Sequence, residues 1–177
     1  MYTATVPMMM RALEKLSALL DKADEFAKEK KIEESVLLNA RLAPDQFPFT
    51  KQIQIASDNA KGCAGRLAGV EFPSFSNMET TIAELKERVQ KTIDFLKTIR
   101  PEQIDGSDER MVEYPYAKGK SMTGYDYVTE HAIPNFLFHV VTAYSILRHN
   151  GVQIGKKDYI GPLSLKDSPA KDSPAHE

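Results

Sequence analysis

Four histidines, His131, His139, His149 and His176, are the residues of this chain best suited to move a proton or hold a metal. Imidazole titrates near neutral pH, and its uncharged ring is a good metal ligand. His176 falls in a C-terminal extension. His149 falls in the last turn of a helix, where a cation complements the helix dipole. His131, just ahead of Pro134, reads as a surface residue. His139 borders the apolar stripe of the last long helix, and Asn135 lies one turn earlier on the same side, so the two side chains can meet a common ligand. Pro134 has no N–H, which leaves the carbonyl of Glu130 without its helical partner and favours a bend. A free carbonyl beside a half-buried Asn–His pair would make a polar pocket. On an earlier helix, Gln52 leans toward the apolar stripe, and Gln54 stands farther from it. Two readings of His139 remain open: a core histidine bonded to a neighbour, or a general acid/base or ligand. No HExxH, phosphate-binding glycine loop, GxSxG elbow or zinc-spaced cysteine pair is present. Ser121 and Ser145 lack a histidine in a catalytic pattern, and Met8-Met9-Met10 reads as adaptable packing.

The chain that must position these groups has 177 residues, with 23 basic and 25 acidic side chains and a net charge of −2. This length suits one domain with a full core. The charge balance argues against nucleic-acid binding by bulk positive charge. No apolar run approaches the roughly 20 residues of a membrane span, and no signal peptide is visible. A single cysteine, Cys63, excludes an intramolecular disulfide and fits a reducing, cytoplasmic setting.

Apolar steps of three and four predict long helices at about 5–30, 46–68, 78–99 and 125–149, with a short one at 33–43. Thr5, Asp45 and Asn77 or Ser76 are the expected N-caps, and Gly69 the expected stop of the second long helix. Ala56, Ala60, Gly62, Cys63, Ala64 and Gly65 would let a neighbouring helix approach closely. Glu84, Lys86, Glu87, Arg88, Lys91 and Asp94 read as a solvated face. The last long helix, apolar on most sides, reads as buried on most sides. Between 107 and 124 the period changes, predicting a hairpin of 110–116 and 120–123. The domain is expected to span 1–162. The remainder, 163–177, repeats Lys-Asp-Ser-Pro-Ala at 166–170 and 171–175 and reads as a disordered tail.

The stretch from Ile133 to Gly151 resembles the C-terminal motif of an uncharacterised bacterial and fungal family, a domain of unknown function in the DinB/YfiT-like superfamily of metalloenzyme-type helical bundles. Arg41-Leu-Ala-Pro-Asp45 and Gly155-Lys-Lys-Asp-Tyr-Ile-Gly161 resemble its other signatures, so the similarity covers about residues 1–161. The resemblance implies an all-α fold, a four-helix bundle with a long crossover and a small β-hairpin before the last long helix, often dimeric. It also implies a divalent metal held by one helix-2 histidine and an HxxxH pair, serving thiol-dependent transferases or isomerases. Carried onto this chain, the three ligand positions fall on Gln52 (less well Gln54), Asn135 and His139. Two amides and one imidazole hold transition metals poorly. The expectation is therefore no cofactor, or at most a weak divalent metal, in a degenerate pocket that binds a small polar ligand. The alternative is an active transferase, lyase or isomerase with His139 as general acid/base or metal ligand. A loss below about 1 kcal/mol is expected for His139→Ala if the residue is functional, since such groups are held at some cost to stability.

Overall fold

The computed structural model describes residues 1–114 and 116–167. Its elements run α1 (Tyr2–Lys30), α2 (Glu34–Leu38), α3 (Phe49–Ala68), α4 (Ile82–Lys97), α5 (Pro101–Ile104), β1 (Met111–Glu113), β2 (Ser121–Thr123) and α6 (Gly124–Asp126). A π-helical segment (Tyr127–Ala132) then leads into α7 (Ile133–His149), followed by α8 (Lys156–Ile160). The four long helices close a ring: α1 packs on α4 and α7, and α3 packs on the same two. Helices α1 and α3 therefore lie across a diagonal, as do α4 and α7. The long connection from α4 to α7 carries the hairpin, with Val112 opposite Met122. This is the expected all-α bundle with a crossover and a small antiparallel hairpin.

The stripes read from the sequence are the buried faces. On α1 they are Leu13, Leu16, Leu20, Ala23 and Ala27, with Val6 and Met9 buried in place of the expected Met10, which is half-buried; on α3, Phe49, Ile53, Ala56, Ala60, Ala64 and Leu67; on α4, Ile82, Leu85, Val89, Ile93 and Leu96. The helix starts differ from expectation. Helix α1 begins at Tyr2, so Thr5 and Pro7 lie inside it; Asp105 Oδ1, distant in sequence, accepts from Tyr2 N at 3.0 Å. Helix α3 begins at Phe49 after an extended Pro48, and Asp45 caps nothing. Helix α4 begins after Thr81, whose side chain accepts from Glu84 N while Glu84 returns the bond to Thr81 N, a reciprocal capping box. Gly69 ends α3 at φ 68°, the left-handed conformation that glycine adopts without penalty.

Two faces were misread. Helix α7 is buried along Phe136, Val140, Ala143, Ile146 and Leu147, but Phe138 and Val141 are exposed, so its apolar surplus faces outward. Apolar side chains are common on protein surfaces, and hydrophobicity alone does not bury them. Arg88 is buried, bonded to Glu79 and Asp58 at 2.7 Å each, and is not part of a solvated face. Helix α8, not anticipated, docks on α1 with Lys22 Nζ 2.8 Å from Asp158 Oδ1.

Of the expected tail, 163–167 is exposed coil and 168–177 lies outside the described residues. Leu163 and Leu165 are both exposed. Truncation after 162 is expected to move the thermal midpoint by less than about 4 °C, the shift of roughly 1 kcal/mol in a domain of this size. A larger drop in a calorimetric scan would show that the tail is docked.

Candidate functional site

Helix α3 starts late enough to leave the carbonyl of Phe47 outside the helix, and the Gln52 side chain folds back to it. Gln52 Nε2 donates to Phe47 O at 2.8 Å, and His139 Nδ1 stands 2.6 Å from Gln52 Oε1. The roles follow from chemistry. A backbone carbonyl only accepts, so Gln52 turns its NH2 to Phe47 and its oxygen to His139. That oxygen also only accepts, so Nδ1 carries the ring proton. Burial pushes the His139 pKa down to about 4, so the ring is neutral at physiological pH. Nε2 is then a lone-pair acceptor, with no hydrogen-bond partner among the described residues.

His139 and Asn135 line one cleft of about 630 Å³ between α3 and α7, together with Phe47, Lys51, Ile55, Asp58, Asn59, Lys61, Arg66, Phe72, Tyr116, Tyr127 and His131. This lies within the usual range of small-molecule sites, about 300–1,000 Å³. Gln52, fully buried, stands behind its wall. Helices α3 and α7 run antiparallel along it, since Gln52 meets His139 at one end and Arg66 Nη1 meets Tyr127 Oη at 3.3 Å at the other. Ahead of Pro134 the helix widens into the π segment, where Ile133 N bonds to Val128 O five residues back. Such turns recur at functional sites, and this one places Tyr127 and His131 on the cleft. His131 is half-buried rather than on the surface, with its ring centroid 5.1 Å from Tyr114 and 5.4 Å from Tyr116. Burial, then the Arg66 charge, lowers its pKa. Gln54 is buried too, but donates to Glu79 at 2.8 Å, away from His139.

The family model described as "Domain of unknown function (DUF1993)" matches residues 1–160. The chain belongs to the DUF1993 family. A crystal structure of a DinB family member protein from Shewanella denitrificans superposes with a TM-score of 0.90 at 43% identity, covering 94% of this chain and 95% of that one. No curated protein matches.

At the three carried-over ligand positions of this DUF1993 site, Gln52 and Asn135 offer only uncharged amide oxygens, weak ligands for a transition metal, and the Gln52 oxygen is already engaged by the His139 Nδ1–H, so this donor set fits a divalent metal poorly. Among the described residues, no group of three or more His, Cys, Asp or Glu is placed to hold a metal. Cys63 is buried, and burial pushes its thiol up to about 12, so little of the nucleophilic thiolate forms at neutral pH. No helix among the described residues is long and apolar enough to cross a membrane.

Sequence reasoning missed Arg66, Asn59 and His131. A signal for them exists. Positions 52, 55, 59, 62 and 66 follow steps of three and four beside the core stripe of α3. His131, Asn135 and His139 recur every four residues.

Proposed function

We propose that the α3–α7 cleft of this DUF1993 chain binds a small polar molecule, with His139 Nε2 accepting a hydrogen bond from it and the Asn135 amide orienting it. The observation that carries this reading is the fixed order Phe47 O, Gln52 and His139, which holds one tautomer with its lone pair unused inside a cleft. The alternative, a transferase, lyase or isomerase with His139 as general base, is less well supported. A general base works best with a pKa near the working pH, and that of His139 lies at about 4. Binding of a hydrogen-bond donor does not require protonation.

Native mass spectrometry of the purified full chain, followed by release and identification of bound small molecules, tests this. A retained molecule is expected in the wild type and absent from folded His139→Phe, with Asn135→Leu reducing its occupancy. A wild type that retains nothing and is not stabilised by any member of a broad metabolite panel would refute the reading, as would retention unchanged in His139→Phe.

A further inference from the structure

The charges along the cleft do not cancel. Asp58 is contacted by Lys61 at 2.9 Å and by Arg88 at 2.7 Å, and Arg88 in turn pairs with Glu79 at 2.7 Å. Two cations and two carboxylates in this cluster sum to zero. Lys51 and Arg66, which also line the cleft, have no carboxylate partner among the described residues. A chain with an overall charge of −2 therefore presents two uncompensated positive charges in one cleft.

Arg66 is held, not loose. Its guanidinium lies 5.2 Å from the Phe72 ring and donates to Tyr127 Oη at 3.3 Å. Gly62, one turn earlier, provides its seat: a Cβ there would overlap Arg66 Nη1. Gly65 does the same for Phe72, since a Cβ would overlap that ring. The glycines of α3 thus admit a guanidinium and a phenyl ring rather than a neighbouring helix. Tyr127 Oη accepts from Arg66, so its own O–H stays available, and the remaining guanidinium N–H groups form a planar fork matched to a carboxylate. Beside this two-donor corner stand the aromatic faces of Phe72 and Tyr116, with Ile55 farther along the same cleft. An inorganic anion would leave those faces without a partner.

We propose that this corner binds the carboxylate of an organic acid, with Arg66 and Tyr127 as its donors and the acid's apolar body lying along the aromatic wall toward His139. The inference rests on reading the cleft as a ligand site, and adds the class of ligand. A second cleft, of about 350 Å³ beside Phe75 and Met78, offers no comparable corner, because its Arg88 and Glu79 satisfy each other.

Calorimetric titration of the full chain with 3-phenylpropionate, its neutral amide 3-phenylpropanamide, and inorganic phosphate decides it. The carboxylate is expected to bind at least about tenfold more tightly than the amide, as a charge-assisted pair of hydrogen bonds implies. Arg66→Gln should erase that preference, weakening the acid far more than the amide, whose neutral oxygen loses only an uncharged acceptor's share of the bond. Gly62→Ala, which keeps the charge but displaces the guanidinium, should reduce it, and Tyr127→Phe should lower it by a smaller factor. Far-UV circular dichroism confirms that each variant is folded. Equal affinity for acid and amide, a preference that survives in Arg66→Gln, phosphate binding as tightly as the organic acid, or no binding of the acid at all would each overturn the inference. If the wild type still retains a molecule that His139→Phe loses, only the ligand class falls. Loss of that retention as well would take the cleft reading with it.

Discussion

Arg88→Ala is expected to destabilise the fold by about 3 kcal/mol, at the low end of the range for breaking a buried ion pair from one side. Arg88 is 3% exposed, and its guanidinium meets Glu79, Asp58 and the backbone carbonyl of Ser76, at 2.7, 2.7 and 3.1 Å, with the Phe75 ring 5.2 Å away. Removing it strands the Glu79 carboxylate, whose side chain is only 11% exposed. Asp58 suffers less, because it is 40% exposed and keeps Lys61. Burial alone would push the Glu79 carboxyl up, but hydrogen bonds from Arg88 and Gln54 and the Arg88 charge hold it below its ordinary value. With the folded pKa depressed, this contribution is complete above the unfolded value of about 4.3 and fades as pH falls through the lower folded one. Urea denaturation at neutral pH measures the loss. Arg88→Met combined with Glu79→Gln should recover most of it, since removing both charges leaves neither stranded. A loss below about 1 kcal/mol for Arg88→Ala would show that solvent already reaches Glu79. The cluster also ties the segment between α3 and α4 to the bundle, so Arg88→Ala should loosen Phe72 and weaken the Arg66 corner.

The repeating faces of α1, α3 and α4 were legible because a period of 3.6 residues sums over many positions, each worth burying. Their starts were not, because a cap is one local bond with several candidates. Thr81 and Glu84 form the capping-box pattern in the sequence, yet Asn77 and Ser76 offer the same side-chain chemistry four and five residues earlier. The Tyr2 amide finds Asp105, a partner no local reading supplies. Gln52 and His139 each sit at the margin of a helix's apolar stripe, which marks them as inward-leaning, but only the family resemblance set them opposite one another. Arg66 could not be read that way. A guanidinium at such a margin reads as a solvated side chain until the glycines beside it are seen to make room for it. The same reading hid Arg88, whose burial depends on carboxylates contributed by α3 and by the segment that follows it.

His139→Ala should cost about 1–3 kcal/mol at neutral pH, more than the sequence alone implied. Gln52 is fully buried behind the His139 ring, and losing the His139 N–H strips its Oε1 of its partner. His139→Phe restores volume but not the donor, so it should cost nearly as much. Adding Gln52→Leu to His139→Phe should recover part of the loss, because the stranded oxygen goes too. The pH dependence separates this pair from ordinary packing. Burial holds the folded His139 near 4, whereas an unfolded histidine titrates near 6.5. Between these values the unfolded chain binds a proton that the folded chain refuses. Stability from this residue is therefore intact above about pH 6.5 and falls by on the order of 3 kcal/mol as pH drops toward 4. Carboxylates such as Glu79 add their own loss at still lower pH, but they are common to wild type and variant. Urea midpoints for wild type and His139→Phe, compared from pH 7.5 down to 4.5, should converge as the wild type loses this contribution. NMR titration of the His139 ring should show a midpoint below 5. Parallel curves for the two proteins, or a midpoint near 6.5, would mean that the ring is solvated and that its lone pair is not held for a ligand.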